Sequence, residues 1–174
     1  PEVQKLIKNK KKIVILNKSD LANEAETNKW IKYFEKKHVP SILCNSNNGM
    51  GANNIVGKIN EMMTEERNIA QQKGRNKIAR AMIIGVPNVG KSSFINRISK
   101  KASAQVGNKP GITRQKQWIK VDDNIELMDT PGVLWPKFEN EQVALNLAYT
   151  GTIKDDILQT IEIGFQLLKF LVKN

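Results

Sequence analysis

Two periodicities alternate along the chain. Ile13-Val14-Ile15-Leu16 and Ala81-Met82-Ile83-Ile84 are short uninterrupted apolar runs, the form expected of strands buried on both faces. Strands are predicted near 12–16, 39–44, 79–84, 115–121 and 125–129. Between them, apolar residues recur at helical spacing. Trp30, Tyr33 and Phe34 share one face of a predicted helix over 23–37, which Asn23 can cap. Ile55, Ile59, Met62 and Met63 form the stripe of a second helix over 52–72, and further helices are predicted over 91–100, 138–149 and 154–172. Strands alternating with helices favour an α/β fold with a parallel sheet. Asp122-Asp123-Asn124 marks a hairpin that makes 115–121 an antiparallel edge. Gln71 to Lys77 is polar, contains Gly74 and reads as a linker.

Candidate chemistry sits at the ends of the strands. Gly85-Val86-Pro87-Asn88-Val89-Gly90-Lys91-Ser92 follows the third strand and fits G-x-x-x-x-G-K-[ST]. Gly85 allows a tight turn, and Gly90 lets backbone N–H groups come close to phosphate oxygens. Lys91 can reach β- and γ-phosphates, and the Ser92 hydroxyl can sit on Mg²⁺. Phe94, Ile95 and Ile98 recur at helical spacing, so a helix should start at the loop with its positive end at the phosphates. The four fixed positions coincide by chance about once in 30,000 starts, which leaves little room for a fortuitous Gly/Lys turn. Pro87, Asn88, Val89, Gly90, Lys91, Ser92 and Ser93 are therefore candidate nucleotide-binding residues.

Asn17-Lys18-Ser19-Asp20 follows the first strand and fits N-K-x-D. The Asp20 carboxylate can accept both the N1–H and the N2–H of guanine, a donor pair that adenine lacks. Asn17 would bridge to the base or to the phosphate loop, and the Lys18 stem would lie over the base plane. Alone, this segment reads as a polar turn; beside a phosphate loop, a guanine pocket is the better reading. Asn45, Ser46 and Asn47 follow the second strand and could back the guanine O6 with a backbone N–H, a plain Asn/Gly turn being the alternative. Asp129-Thr130-Pro131-Gly132 follows the fifth strand. Asp129 can hold Mg²⁺ through water and the Gly132 N–H can bond a γ-phosphate; the alternative is a Pro-Gly turn. Thr113 lies beside Lys100 to Gly111, a segment poor in core residues. It could close on Mg²⁺ when a γ-phosphate is present and so act as a switch, or be an ordinary surface threonine.

The guanine motif precedes the phosphate loop, whereas most GTPases carry them in the opposite order. The order resembles that of circularly permuted GTPases. Gly85 to Ser93, Pro110 to Thr113 and Asp129 to Phe138 together resemble the YlqF/RbgA type, from about Lys8 to the last helix. These are bacterial GTPases of large-ribosomal-subunit assembly, with mitochondrial counterparts. Leu134-Trp135-Pro136-Lys137-Phe138 is the most specific part of the likeness. Permuted relatives of the small subunit differ here and often carry zinc modules, which one cysteine and one histidine exclude. The resemblance implies a three-layer, Rossmann-like P-loop GTPase fold with a mostly parallel sheet and a GTP/GDP ligand. It implies Mg²⁺ at Ser92, Thr113 and Asp129, K⁺ held by Asn88, and catalytic roles for Lys91, Thr113 and Gly132. It implies a precursor of the large subunit and its rRNA as partners of a monomer, in the bacterial cytoplasm or else the mitochondrial matrix. Two departures bear on function. Asn47 stands where the guanine loop usually has alanine, a tolerable change for a backbone contact. Val133 stands where many small GTPases place a water-orienting glutamine. A valine cannot orient water, so slow intrinsic hydrolysis is expected, accelerated by a partner or a monovalent cation. A GTP-dependent ribosome- or RNA-binding module with negligible turnover is the alternative. No residue matches the family's proposed N-terminal catalytic histidine, and His38 reads as structural.

Composition adds bounds. At 174 residues the chain is one domain with room for a core. It divides into a guanine-motif half (1–72), a linker (73–80), a phosphate-loop and switch half (81–150) and a C-terminal helix (151–174). Net charge is +11, with lysines at Lys8 to Lys12, Lys36-Lys37, Lys73 to Arg80 and Lys100-Lys101. That suits an RNA partner, although lysine in excess of arginine with abundant asparagine also fits an AT-rich genome. No run of about 18 apolar residues suggests a membrane span. Single Cys44 fits a reducing compartment and a buried thiol. The chain starts at Pro1 inside a helix-like segment, as a piece of a longer protein would. In the permuted order, one central strand would precede residue 1, and the family's C-terminal helical domain would follow Asn174. Both are expected to be missing.

Overall fold

The computed structural model describes Ile7 and residues 10–99, 117–133, 140–153 and 160–173. Thr113 and the Leu134 to Phe138 extension lie outside these residues. The chain forms two compact units, Pro1–Ala79 and Arg80–Asn174.

In the first unit, β1 (Val14–Leu16) pairs in parallel with β2 (Ser41–Leu43), Ile15 standing opposite Ile42. The connection is α1 (Glu24–Lys36), and α2 (Ala52–Gln72) follows β2. Asn23 starts α1 as expected: its side chain accepts the Glu26 N–H at 3.1 Å, and Glu24 and Glu26 favour the positive end of the helix. The helix stops at His38, which takes a left-handed φ of 53°. His38 N–H bonds Glu35 O and Val39 N–H bonds Phe34 O. This bonding pattern usually has glycine at the left-handed position, and it gives His38 a structural role. The α2 helix ends the same way at Gly74, with φ 64°. Val39, Cys44, Ala52 and Ile55 are buried. Burial raises the Cys44 thiol above its ordinary pKa, so it stays protonated and unreactive. Trp30, Tyr33 and Phe34 pack on one another, with ring centroids 5.4 to 6.1 Å apart.

The second unit contains β3 (Ala79–Met82), α3 (Lys91–Ser99), β4 (Gln117–Asp122), β5 (Ile125–Asp129), α4 (Glu141–Tyr149) and α5 (Thr160–Lys173). Its strands lie in the order β3-β5-β4. The predicted hairpin is present: β4 runs antiparallel to β5 at the edge, Ile119 opposite Leu127. Alternation sends Ile125, Leu127 and Asp129 of β5 to one face, where they are buried. Ile119 and the α3 residues Phe94, Ile95 and Ile98 are buried with them, since α3 packs on β4 and β5.

One expectation is overturned. Neither apolar run is buried on both faces: Val14 to Leu16 are only partly buried, and Met82 is 52% and Ile84 44% exposed. Among the described residues β3 is an outer strand, and α3 covers only the other face of its sheet. The open face carries Arg80, which donates to Glu126 at 2.8 Å and lies 5.7 Å from the half-exposed Trp118 ring. Among the described residues no helix is long and apolar enough to cross a membrane.

Candidate nucleotide-binding site

The loop after β3 is shaped for close approach. Asn88 and Gly90 take left-handed φ values of 57° and 92°. The α3 helix begins directly after it, with Phe94 N–H on Gly90 O at 2.9 Å. The buried Phe94, Ile95 and Ile98 anchor α3, so its N-terminal end is fixed at the loop. Lys91 folds inward: Nζ donates to Gly85 O at 3.0 Å and Val86 O at 2.9 Å. Burial lowers its pKa, and the nearby Asp129 carboxylate offsets part of that.

The end of β5 is joined to this loop. Asp129 is fully buried, and its Oδ2 accepts the Ser92 hydroxyl at 2.9 Å. Thr130 Oγ1 donates to Ile83 O at 2.5 Å, and Val133 N–H donates to Gly85 O at 3.2 Å. At Gly132, a Cβ would stand 2.6 Å from the Pro87 nitrogen and Cγ, so only glycine fits. The Asn88 Nδ2 donates to the Gly151 carbonyl, just past α4. Ser92 and Asp129 present a hydroxyl and a carboxylate side by side. Hard oxygen donors of this kind, few in number, suit Mg²⁺, which takes its other ligands from phosphates and water. Among the described residues no group of three or more His, Cys, Asp or Glu could hold a metal ion.

The guanine motif lies in the first unit. Because β1 and β2 are parallel neighbours, their C-terminal loops emerge side by side. Asn17 Oδ1 accepts from Ser46 N–H at 3.1 Å and from Ser46 Oγ at 2.8 Å. Ser19 N–H and Oγ both reach Cys44 O, at 3.2 and 3.1 Å. Asn45 is buried and shapes its own turn, Oδ1 accepting Asn47 N–H at 2.9 Å and Asn48 N–H at 3.3 Å. Lys18, at φ 56°, and Asp20 remain exposed, as does Asn47.

Thus Asn17, Asn45, Ser46 and Asn47 come together in the first unit, and Pro87, Asn88, Lys91, Ser92, Asp129 and Gly132 in the second. Val89, Gly90 and Ser93 follow from the loop itself. Sequence reasoning missed Gly51, Thr130 and Gly151. Gly51 has φ 78° and a Cβ there would meet Leu43 O at 1.9 Å; two glycines in Gly49-Met50-Gly51 were its available signal. Gly151 lies two residues past the end of α4 at Tyr149, where a helix-ending glycine is readable. Thr130 had no separate signal.

A strand that runs into a glycine-bearing loop with an inward lysine, then a helix N-terminus and a buried aspartate on the neighbouring strand, defines a P-loop GTPase domain. Residues 80–170 match the family of the 50S ribosome-binding GTPase, and the chain belongs to that family. It is 45% identical over 175 residues to Ribosome biogenesis GTPase A of Bacillus licheniformis, covering all of this chain and 62% of that protein. The GDP-bound structure of YlqF from Thermotoga maritima is similar with a TM-score of 0.58 at 27% identity, over 87% of this chain and 55% of that one. GNP-bound YlqF from T. maritima is similar in fold with a TM-score of 0.63 at 24% identity, over 96% of this chain and 60% of that one. The chain therefore spans roughly three-fifths of the length of the proteins it matches.

Proposed function

We propose that the chain is the GTP-binding and GTP-hydrolysing part of a switch that assists assembly of the large ribosomal subunit. The observation that carries this reading is the inward-turned Lys91 beside the Ser92–Asp129 pair. Its ammonium group now rests on two loop carbonyls. Exchanging them for charged phosphate oxygens strengthens the contacts and relieves the burial of an ammonium charge.

In this reading residues 1–72 read the base, 73–80 link, 81–150 handle phosphates and switching, and 151–174 add the C-terminal helix. Asp20 accepts the guanine N1–H and N2–H, Lys18 covers the ring, and Asn45 to Asn47 present backbone to O6. Asn17 braces Ser46. Pro87 to Ser93 cradle the phosphates. Ser92, Asp129 and Thr113 would hold Mg²⁺, which supplies charge neutralisation between the β- and γ-phosphates when bound. Asn88 would face K⁺. Gly132 N–H would meet the γ-phosphate.

Val133 offers no group to orient a water, and its side chain is 55% exposed. That favours slow turnover until the large-subunit precursor and its rRNA engage the protein. It also supports a second reading, a GTP-dependent ribosome-binding module with negligible turnover. The protein would act as a monomer in the bacterial cytoplasm, the mitochondrial matrix being the alternative.

Titration with a fluorescent GDP analogue, competed by GTP, ATP and XTP, tests the pocket. Guanine-selective competition supports it, and equal competition by ATP removes it. Hydrolysis with and without large subunits, in K⁺ and in Na⁺, separates the readings: stimulated turnover supports the switch, and tight binding without turnover selects the module.

A further inference from the structure

Asn88 stands in the phosphate loop with a left-handed backbone, φ 57°. Asparagine tolerates this conformation better than most residues, yet it persists only where the surroundings hold it. Part of that hold lies 63 residues downstream, where Asn88 Nδ2 donates to the Gly151 carbonyl. A carbonyl oxygen only accepts. The donor end of the Asn88 amide is therefore turned to Gly151, and its Oδ1 is at the opposite end.

The acceptor sits on a preformed turn. Past α4, Gly151 N–H bonds Ala148 O and Thr152 N–H bonds Leu147 O, the paired bonds of a glycine-ended helix. The Thr150 hydroxyl donates to Asn146 O and meets the Thr152 hydroxyl at 3.2 Å, and Thr152 is buried. Gly151, at φ 66°, presents its carbonyl to the loop, and a Cβ there would lie 3.4 Å from Asn88 Nδ2.

We propose that this hydrogen bond couples the phosphate loop to the last turn of α4. Gly151 is a positioning residue that orients the Asn88 amide, and occupancy of the loop is felt at Thr150 to Thr152. The coupling rests on the reading of residues 85–92 as a nucleotide loop. The α4 helix packs against α5, so α5 is the next element the signal reaches.

Hydrogen exchange at the amides of Thr150, Gly151 and Thr152 tests this on the full chain. Without ligand, Asn88→Ala and the near-isosteric Asn88→Asp both remove the donor. Each is expected to speed exchange there by about tenfold or more, while Gly74 and Arg75, which end α2 by the same pattern, exchange as before. Unchanged exchange at 150–152 in both variants overturns the tie. GDP with Mg²⁺ is then expected to slow exchange at Lys91 to Phe94 and at 150–152 in the wild type. Slowing at the loop alone in the wild type overturns the coupling. No slowing at the loop removes the nucleotide reading and the transmitted signal with it, and the ligand-free comparison still decides whether Gly151 holds Asn88.

Discussion

An alanine at position 132 would put its Cβ 2.6 Å from the backbone nitrogen of Pro87, which has no flexible end to yield. Gly132→Ala must therefore part the β5 turn from the phosphate loop. Overpacking of this kind costs about 1–3 kcal/mol. Urea denaturation should show that loss, and the fluorescent GDP titration a weaker Kd; wild-type stability would mean the two loops are not held together as described. Lys91 behaves oppositely. Its folded pKa lies below its unfolded one, so the unfolded chain holds more protons in the window between them, and stability rises with pH across that window. Below the window, the half-buried charge opposes folding. Lys91→Met should therefore leave the ligand-free Tm equal or higher while abolishing the Tm increase that GDP gives. A lower ligand-free Tm would show that Lys91 supports the fold. At Asp20 the test is chemical. Asn in its place offers an N–H to the C2 carbonyl of xanthine and loses an acceptor for the guanine N2–H. Asp20→Asn should shift preference from GTP to XTP by about a hundredfold or more, and retained guanine preference would remove Asp20 from base reading.

Three of the described helices end with the same pair of bonds, but only α2 and α4 have glycine at the left-handed position. The α1 helix has His38 there. His38→Gly should stabilise the first unit by up to about 1 kcal/mol, since glycine adopts this conformation without Cβ strain; thermal unfolding that shows destabilisation instead would mean the imidazole makes an unrecognised contact. The helices were largely legible in sequence because period and capping are local. Asn23 and the 52–72 stripe required no distant information, and neither did the strand–loop–helix of Gly85 to Ser92. What was not legible depends on distant partners. An apolar run such as Ala81 to Ile84 reports that strand structure suits it, but burial of Met82 and Ile84 requires cover that no local pattern supplies. The bracing of Asn17 by Ser46 follows only once β1 and β2 are known to be parallel neighbours. The Gly132–Pro87 approach likewise needs β3 beside β5. In each case the motif was visible and its supporting contact was not.

At the scale of the whole molecule, the net charge of +11 acquires a shape. Lys10 to Lys12 and Lys73 to Lys77 are far apart in sequence, yet the structure draws them together across α2. Glu66 accepts Lys11 at 3.0 Å and stands 4.0 Å from Lys77, and Lys11 also reaches Met62 O. The lysines hold the Glu66 carboxyl below its ordinary pKa, so one acidic group gathers two basic runs. Lys10, Lys12, Lys73 and Arg75 of the same two runs are exposed. A solvated basic face requires no partner, whereas a face that meets rRNA releases counterions when it binds. The two cases separate by salt. If the charge serves the large subunit, affinity for the particle should fall about tenfold or more between about 50 and about 200 mM KCl, with GTP analogue and Mg²⁺ saturating. Replacing Lys10, Lys12, Lys73 and Arg75 by glutamine should flatten that slope and leave GDP affinity unchanged. A slope identical in wild type and variant would place the phosphate contacts elsewhere on the chain. A flat slope in both would return the lysines to the solvated reading.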